Sequence, residues 1–319
     1  MNRVETIARQ VYGPGAAVPY AVRLPGGASR ETWALDVVAT GGDRHELVLR
    51  LDGPGAVLEA GAGLAAEARL MRAAAEAGVP VPHVVAAADA PTDPPAGPYV
   101  LMTRIPGETI PRRILRDEAY REARPRLAAQ CGRALAAVHR MPLSCLPDTE
   151  PADPLRRWRD VLDLTGEPHP VFELALRRLE ADRPPAAPAS VVHGDFRNGN
   201  LIVGPEGIRA VLDWELAHAG DPLEDLGWLC VKAWRFGSPL PVGGFGGYAE
   251  LAAAYEEAGG RRVDLDVLRW WETFGVLKWG IICVMQTMRH LRGGASSVEL
   301  AALGRRVCQT EWDLLGLLT

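Results

Sequence analysis

Lysine is nearly missing from this 319-residue chain: Lys232 and Lys278 are its only copies, so 33 of the 35 basic residues are arginine. A basic surplus is missing too, because 40 acidic residues outnumber the cations and leave a net charge of −5. A general nucleic-acid binder needs a basic face, and this balance argues against one. Cysteine is sparse. Cys131, Cys145, Cys230, Cys283 and Cys308 form no CxxC pair, and an odd, scattered set reads as reduced, buried thiols rather than a disulfide framework. No apolar run reaches the ~18 residues that a membrane span requires, and the opening MNRVETIARQVYG is too polar for a signal peptide. Convincing repeats are absent. The expectation is a soluble cytoplasmic protein without membrane or nucleic-acid partners.

What is present suffices for a sizeable core, since 48% of the residues are hydrophobic. The first hundred residues read as a small α/β unit. In RLPGGASRETWALDVVAT a glycine-rich turn precedes the alternating Trp33, Leu35 and Val37, which predicts a hairpin. HELVLRLD, PVPHVVAAAD and PYVLMTRI supply further strand signals. Between them, Leu64, Ala68, Met71 and Ala75 fall at helical spacing, and Gly78 closes that helix. After Pro106 helical patterns dominate, as in Leu127, Cys131, Leu135 and Val138. The division expected is therefore a sheet-rich lobe over 1–105 and a larger helical lobe over 106–319, an α+β chain with one isolated hairpin near 200–213.

The chemistry concentrates in VVHGDFRNGNLIVGPEGIRAVLDWE. Two apolar runs flank the turn GPEG, so the segment predicts a hairpin that returns Asp213 to the neighbourhood of Asn200. Asp195 lies five residues before Asn200, on the preceding loop. Two carboxylates and a carboxamide thus converge. All-oxygen ligands favour a hard cation such as Mg²⁺, with Asn200 and Asp213 as its candidate ligands. An unligated carboxylate beside them, Asp195, is placed to accept the proton of an attacking hydroxyl. The spacing D-x-x-x-x-N, followed thirteen residues later by Asp, matches the protein-kinase arrangement, with DWE standing where those enzymes have DFG. Two alternatives stay open: a metal-dependent hydrolase using His193, Asp195 and His218, and a nucleotide-binding pseudokinase without turnover. Arg197 and Asn198 could touch substrate or be solvated loop residues. Asp225 could cap a helix or buttress the loop from below, and Asp221 reads as a turn residue.

A phosphoryl-transfer loop predicts a nucleotide cradle in the first lobe. Gly26, Gly27 and Ser29 supply the glycine-rich turn. Arg50 offers the strand cation and Glu67 its helix partner, a guanidinium being able to grip phosphate oxygens bidentately. Backbone groups from Met102 to Ile105 would meet the adenine edge, with Leu101, Met102 and Val48 as apolar walls. GFGGYA (244–249) imitates a dinucleotide fingerprint but follows no strand, and it is read as a flexible loop.

HGDFRNGNLIV, VLDWELAHAGDPLEDLGWL and GGASRETW together resemble the aminoglycoside phosphotransferase family. The likeness is greatest to the branch of kinase-like domains fused to some acyl-CoA dehydrogenases. That resemblance implies a two-lobed kinase-like fold, ATP (or GTP) with Mg²⁺, and transfer of the γ-phosphoryl group to a hydroxyl of a small molecule. It makes Asp195 the base and Asn200 and Asp213 the metal ligands. Arg50 departs from the pattern, standing where many members have lysine. Relatives act on aminoglycosides, macrolides, amino alcohols, sugars and hydroxyacyl-CoA. Here arginines mix with tryptophans in DPLRRWRDVLDL, VKAWRFGSPLPVGGFGGY and RWWETFGVLKWG. Arg156, Arg157, Arg159 or Arg235 beside such rings suits an anionic or partly apolar acceptor such as a hydroxyacyl-CoA. Weak or absent action on aminoglycosides is expected, an aminoglycoside or other antibiotic phosphotransferase being the alternative.

Overall fold

The computed structural model describes residues 3–24, 30–52, 63–88, 97–294 and 297–318. Helix α1 (Arg3–Tyr12) leads into β1 (Ala17–Leu24), β2 (Arg30–Val38) and β3 (Arg44–Asp52), followed by α2 (Leu64–Glu76), β4 (Val84–Ala88) and β5 (Tyr99–Thr103). The five strands form one antiparallel sheet in the order β1-β2-β3-β5-β4. Alternation along the strands sorts their side chains between two helices. Leu47, Leu49 and Leu51 of β3 and Tyr99 and Leu101 of β5 pack with Val4 and Ile7 of α1. Val48, Val100 and Met102 face the other way, toward Leu64, Ala68 and Met71 of α2. Arg50 shares that second face by its register.

The larger part contains α3 (Pro111–Arg116), α4 (Arg124–His139), α5 (Pro154–Thr165), α6 (Pro170–Ala181), β6 (Ser190–Val192), β7 (Leu201–Gly204), β8 (Gly207–Val211), β9 (His218–Gly220), α7 (Leu223–Cys230), α8 (Tyr248–Glu257), α9 (Leu265–Leu291) and α10 (Val298–Leu318). The sheet-rich and helical parts expected from the sequence are both present. Strands β7 and β8 are the predicted hairpin. The short pair β6–β9 was not anticipated, because three-residue strands leave no readable alternation. A backbone bond ties the two parts together, Val211 N–H donating to Pro80 O at 2.8 Å, and just past the boundary Glu108 and Val203 exchange bonds of 2.9 Å within the larger part. One apolar core runs from α2 through the cleft strands into α4, α7 and α9.

Two expectations need correcting. The 244–249 segment is no loose loop, because Val242 and Phe245 are buried and Val242 N–H bonds Gly246 O. Glycines there let the backbone pack where a pattern of polar flexibility was assumed. All five cysteines are free, but Cys308 is exposed and Cys145 half-buried, on surfaces that spacing alone does not reveal. Among the described residues no helix is long and apolar enough to cross a membrane.

Helices α7 and α9 meet at Gly227, where a Cβ would stand 2.5 Å from the backbone carbon of Trp271. Backbone cannot yield as a side-chain tip can. Gly227→Ala should therefore lower unfolding free energy by about 1–3 kcal/mol. Gly41→Ala, which meets nothing within 4 Å, should stay within about 0.5 kcal/mol of the parent. Urea denaturation of the two variants checks both.

Candidate active site

The loop from His193 to Asn200 is fixed from beneath by one carboxylate. Asp225 lies in the first turn of α7 and is fully buried. Its Oδ2 accepts the His193 backbone N–H at 2.7 Å, and its Oδ1 accepts that of Gly194 at 2.9 Å. His139 of α4 adds a third bond at 3.2 Å and is itself held by the Tyr255 hydroxyl of α8 at 2.8 Å. Burial opposes the charge on Asp225, yet the bond from His139 and those from the backbone keep its carboxyl below the usual carboxylate range. Asp221 plays the plainer part and accepts from Leu223 N–H at 2.9 Å. Gly194 holds φ at +81°, and a Cβ there would come 2.5 Å from Leu216 O, so glycine is required between His193 and Asp195.

His193 completes the loop as a neutral ring. Burial pushes its imidazole below the ordinary histidine value. Nδ1 accepts from the Asp195 backbone N–H at 3.2 Å, which assigns the proton to Nε2, the donor to Leu212 O at 3.1 Å. His218 is engaged elsewhere, with Glu224 at 3.1 Å. Among the described residues no group of three His, Cys, Asp or Glu side chains is placed to hold a metal ion, so the hydrolase alternative loses its ligand set.

The Asp195 carboxylate is oriented by three side chains. Oδ1 accepts from Trp228 Nε1 at 2.8 Å and from Arg197 Nε at 3.0 Å, and Oδ2 accepts from Asn200 Nδ2 at 2.6 Å. Asn200 also bonds the Asp195 carbonyl at 3.0 Å, so its amide donors are spent on Asp195 and its oxygen is left over. Neither Arg197 nor Asn198 is a solvated loop residue. Arg197 stacks 4.6 Å above the Trp234 ring, and buried Asn198 donates to Gly243 O at 2.8 Å.

The hairpin returns Asp213 as its topology requires. Leu212 N–H bonds Asn200 O at 2.9 Å, so Asp213 emerges one residue beyond the paired end. It adopts φ +69°, one of two left-handed non-glycine residues among those described. Its Oδ1 is buried without a hydrogen-bond partner and lies 3.8 Å from Arg50 Nη2. Asp213's orphaned carboxylate oxygen and Asn200's carboxamide oxygen, on residues whose backbones the hairpin brings together, are donor types that fit a hard divalent cation.

Across the cleft, Arg50 bonds Glu67, which is 1% exposed. Sequence reasoning missed a second arginine there. Arg30 donates to Glu67 at 3.1 Å and to Glu215 at 3.0 Å, and it pairs with Asp52 at 3.3 Å. Its signal was in the sequence, at the end of GGASR. Burial pushes the Glu67 carboxyl up, against the pull of Arg50 and Arg30. Gly26, Gly27 and Ser29 lie outside the described residues. Met102 is buried and pairs with Val48, as expected for one face of β5, while Ile105 is half-buried just beyond the strand. Leu101 cannot share their wall. One residue along a strand reverses the side chain, and Leu101 packs on the α1 side. A cavity of about 1500 Å³ has Arg50, Asp213, Glu215, Trp158 and Trp270 among its walls, and no residue of the 193–200 loop lines it.

The model of the phosphotransferase enzyme family matches residues 21–271. Over 210 residues the chain is 30% identical to acyl-CoA dehydrogenase family member 10 of Mus musculus, a match covering 62% of this chain and 19% of that protein. It is 31% identical over 150 residues to viomycin phosphotransferase of Streptomyces vinaceus, covering 42% of this chain and 50% of the other. The chain thus matches half or less of the length of both relatives. An aminoglycoside 2″-phosphotransferase solved with GDP and kanamycin superposes with a TM-score of 0.65 at 13% identity, covering 98% of this chain and 99% of the other, which is a likeness of fold.

Asp225→Asn tests the anchor. The amide would turn one acceptor into a donor facing a backbone N–H, at a cost of about 3 kcal/mol by urea denaturation at pH 7. The folded-state value of Asp225 is depressed, so its contribution is full above the unfolded value near ~3.9 and is lost as pH falls through the folded one. The gap between parent and variant should narrow on acidification below about pH 4.

Proposed function

Because the chain belongs to the phosphotransferase enzyme family, we propose that it transfers the γ-phosphoryl group of ATP, or GTP, to a hydroxyl of a small molecule. The observation that carries the reading is a pair of carboxylates in unlike states. Asp195 is gripped and aimed by three donors, whereas Asp213 keeps a buried oxygen with no hydrogen-bond partner. Residues 1–105 would hold the nucleotide, with Arg50 and its partner Glu67 toward the phosphates and the backbone from Met102 to Ile105 toward the base. Residues 106–319 would hold the acceptor and the reacting groups.

Asn200 and Asp213 are the residues that would bind Mg²⁺. When bound, the ion would screen and orient the phosphate oxygens. Asp195 accepts the proton of the acceptor hydroxyl as that oxygen bonds to the γ-phosphorus, while the bond from phosphorus to the bridging oxygen breaks and the nucleoside diphosphate departs. Trp228, Arg197 and Asn200 hold the carboxylate still during that exchange. Neutral His193 shapes the loop and takes no proton.

The cavity walls bear on the acceptor. Arg157 and Arg292 line it together with Trp158, Trp270, Ile282 and Met285, a mixture suited to an anionic, partly apolar molecule such as a hydroxyacyl-CoA. Of the other arginines considered, Arg159 bonds Glu173 at 3.4 Å and Arg235 bonds Glu272 at 2.5 Å, so both are already paired. Arg156 is absent from the walls. Asp52, Asp213, Glu215, Asp221 and Glu224 line it as well, so the charge of the walls is mixed.

ADP release from Mg²⁺-ATP, measured over hydroxyacyl-CoA thioesters, sugars, amino alcohols and aminoglycosides, tests the reading. Asp195→Ala should lose about 10²–10⁴-fold in acceptor-dependent turnover while binding nucleotide as the parent does. Normal transfer by that variant would remove Asp195 from the role. Nucleotide binding with no transfer to any acceptor, in the parent, would favour a pseudokinase.

A further inference from the structure

An arginine-rich chain that keeps a lysine in its interior invites a reason. Lys278, on α9, is 4% exposed. Its Nζ donates to Gly194 O at 3.2 Å and to Glu224 Oε1 at 3.1 Å, and it lies 4.6 Å from the centroid of the Trp228 ring. Two of those three contacts lead to the same atom group. Gly194 is the residue before Asp195, and the Trp228 indole N–H donates to Asp195 Oδ1. The third contact pairs the ammonium with a buried carboxylate. Burial opposes the charge on Glu224, but Lys278 and His218 draw its carboxyl far below the usual range.

We propose that Lys278 is a positioning residue for phosphoryl transfer: it fixes Asp195 from two sides, through the Gly194 carbonyl and through the face of Trp228. The inference rests on the reading of Asp195 as the base. An ammonium is a compact charge with three rotatable donors, and it can serve a carbonyl, a carboxylate and a ring face that diverge from one point. A planar guanidinium presents its donors in one fixed fork and would serve all three only if the carbonyl and the carboxylate lay in its own plane. That accounts for lysine at this position in a chain that uses arginine almost everywhere else. Lys278 also explains why Trp228 keeps its orientation. The ammonium covers one face of the indole, and Trp234 packs beside the ring at 5.2 Å between centroids.

Two readouts test the proposal. Turnover is measured as ADP release from Mg²⁺-ATP with water as acceptor, which needs no identified substrate. The indole N–H resonance of Trp228, assigned with Trp228→Phe in tryptophan-labelled protein, reports the bond to Asp195. Lys278→Met strands Glu224, so Lys278→Met/Glu224→Gln and Lys278→Arg accompany it. In the double variant kcat should fall by roughly 10- to 100-fold with KM for ATP within about two-fold, and the Trp228 resonance should move upfield. Lys278→Arg, which restores the charge opposite Glu224, should remain about tenfold down. Full recovery in Lys278→Arg would reduce Lys278 to a counter-charge for Glu224 and overturn the proposal, as would an unmoved resonance. A parent that releases no ADP with water or with any acceptor of the panel would count against the kinase reading separately, and the resonance alone would then decide the Lys278 contact.

Discussion

The buried carboxylate of Asp225 bears on everything else at the site, because it holds two consecutive backbone N–H groups at the start of the loop. Those groups belong to His193 and Gly194, and the next residue is Asp195. The anchor is itself gripped by His139 of α4, which Tyr255 of α8 holds in turn. Three helices therefore agree on where one short loop begins. From that fixed start, the left-handed Gly194 turns the chain and the β7–β8 hairpin brings it back, so Asp213 arrives beside Asn200 by backbone geometry alone.

Charge in the cleft is arranged as a network that crosses from the sheet to the helical part. Arg30 joins Glu67 of α2 to Glu215, two residues after Asp213. Arg50 bonds Glu67 and approaches Asp213. Burial raises the carboxyls of both Glu67 and Glu215, so these acids rely on the guanidiniums to remain charged. A triphosphate entering the cleft would compete for the same guanidiniums. The substitution of arginine for lysine on β3 is compatible with that task, since the fork can serve a carboxylate and an anion together.

Much of this was legible in the sequence because it depends on short-range rules. Turn chemistry around Gly204-Pro205-Glu206-Gly207 predicts the hairpin, and the hairpin predicts the meeting of Asn200 and Asp213. Helical spacing finds α2 and α4. What escaped was set by packing between distant segments. Trp228 reaches Asp195 across 33 residues, and Lys278 reaches Gly194 across 84, contacts that no local pattern announces. Leu101 was misplaced because strand parity is decided by which face meets α1. The 244–249 segment looked flexible because glycine permits both a loose turn and a tight one. The bond from Val242 N–H to Gly246 O, with Asn198 holding Gly243 just before it, selects the second. Arg30 lay in view, yet only the fold shows that three carboxylates surround it. The scarcity of lysine was a readable clue whose meaning needed the contacts of Lys278.

The central proposal is that Asn200 and Asp213 would hold the metal ion that accompanies a bound nucleotide. Electron paramagnetic resonance of Mn²⁺ titrated with AMP-PNP tests it most directly, since the ion reports its own immobilisation without any acceptor. The account predicts that Mn²⁺ is bound tightly when nucleotide is present, and that Asp213→Ala weakens this by about tenfold or more while nucleotide alone still binds. Equal Mn²⁺ binding by the parent and Asp213→Ala, with nucleotide present, would contradict it.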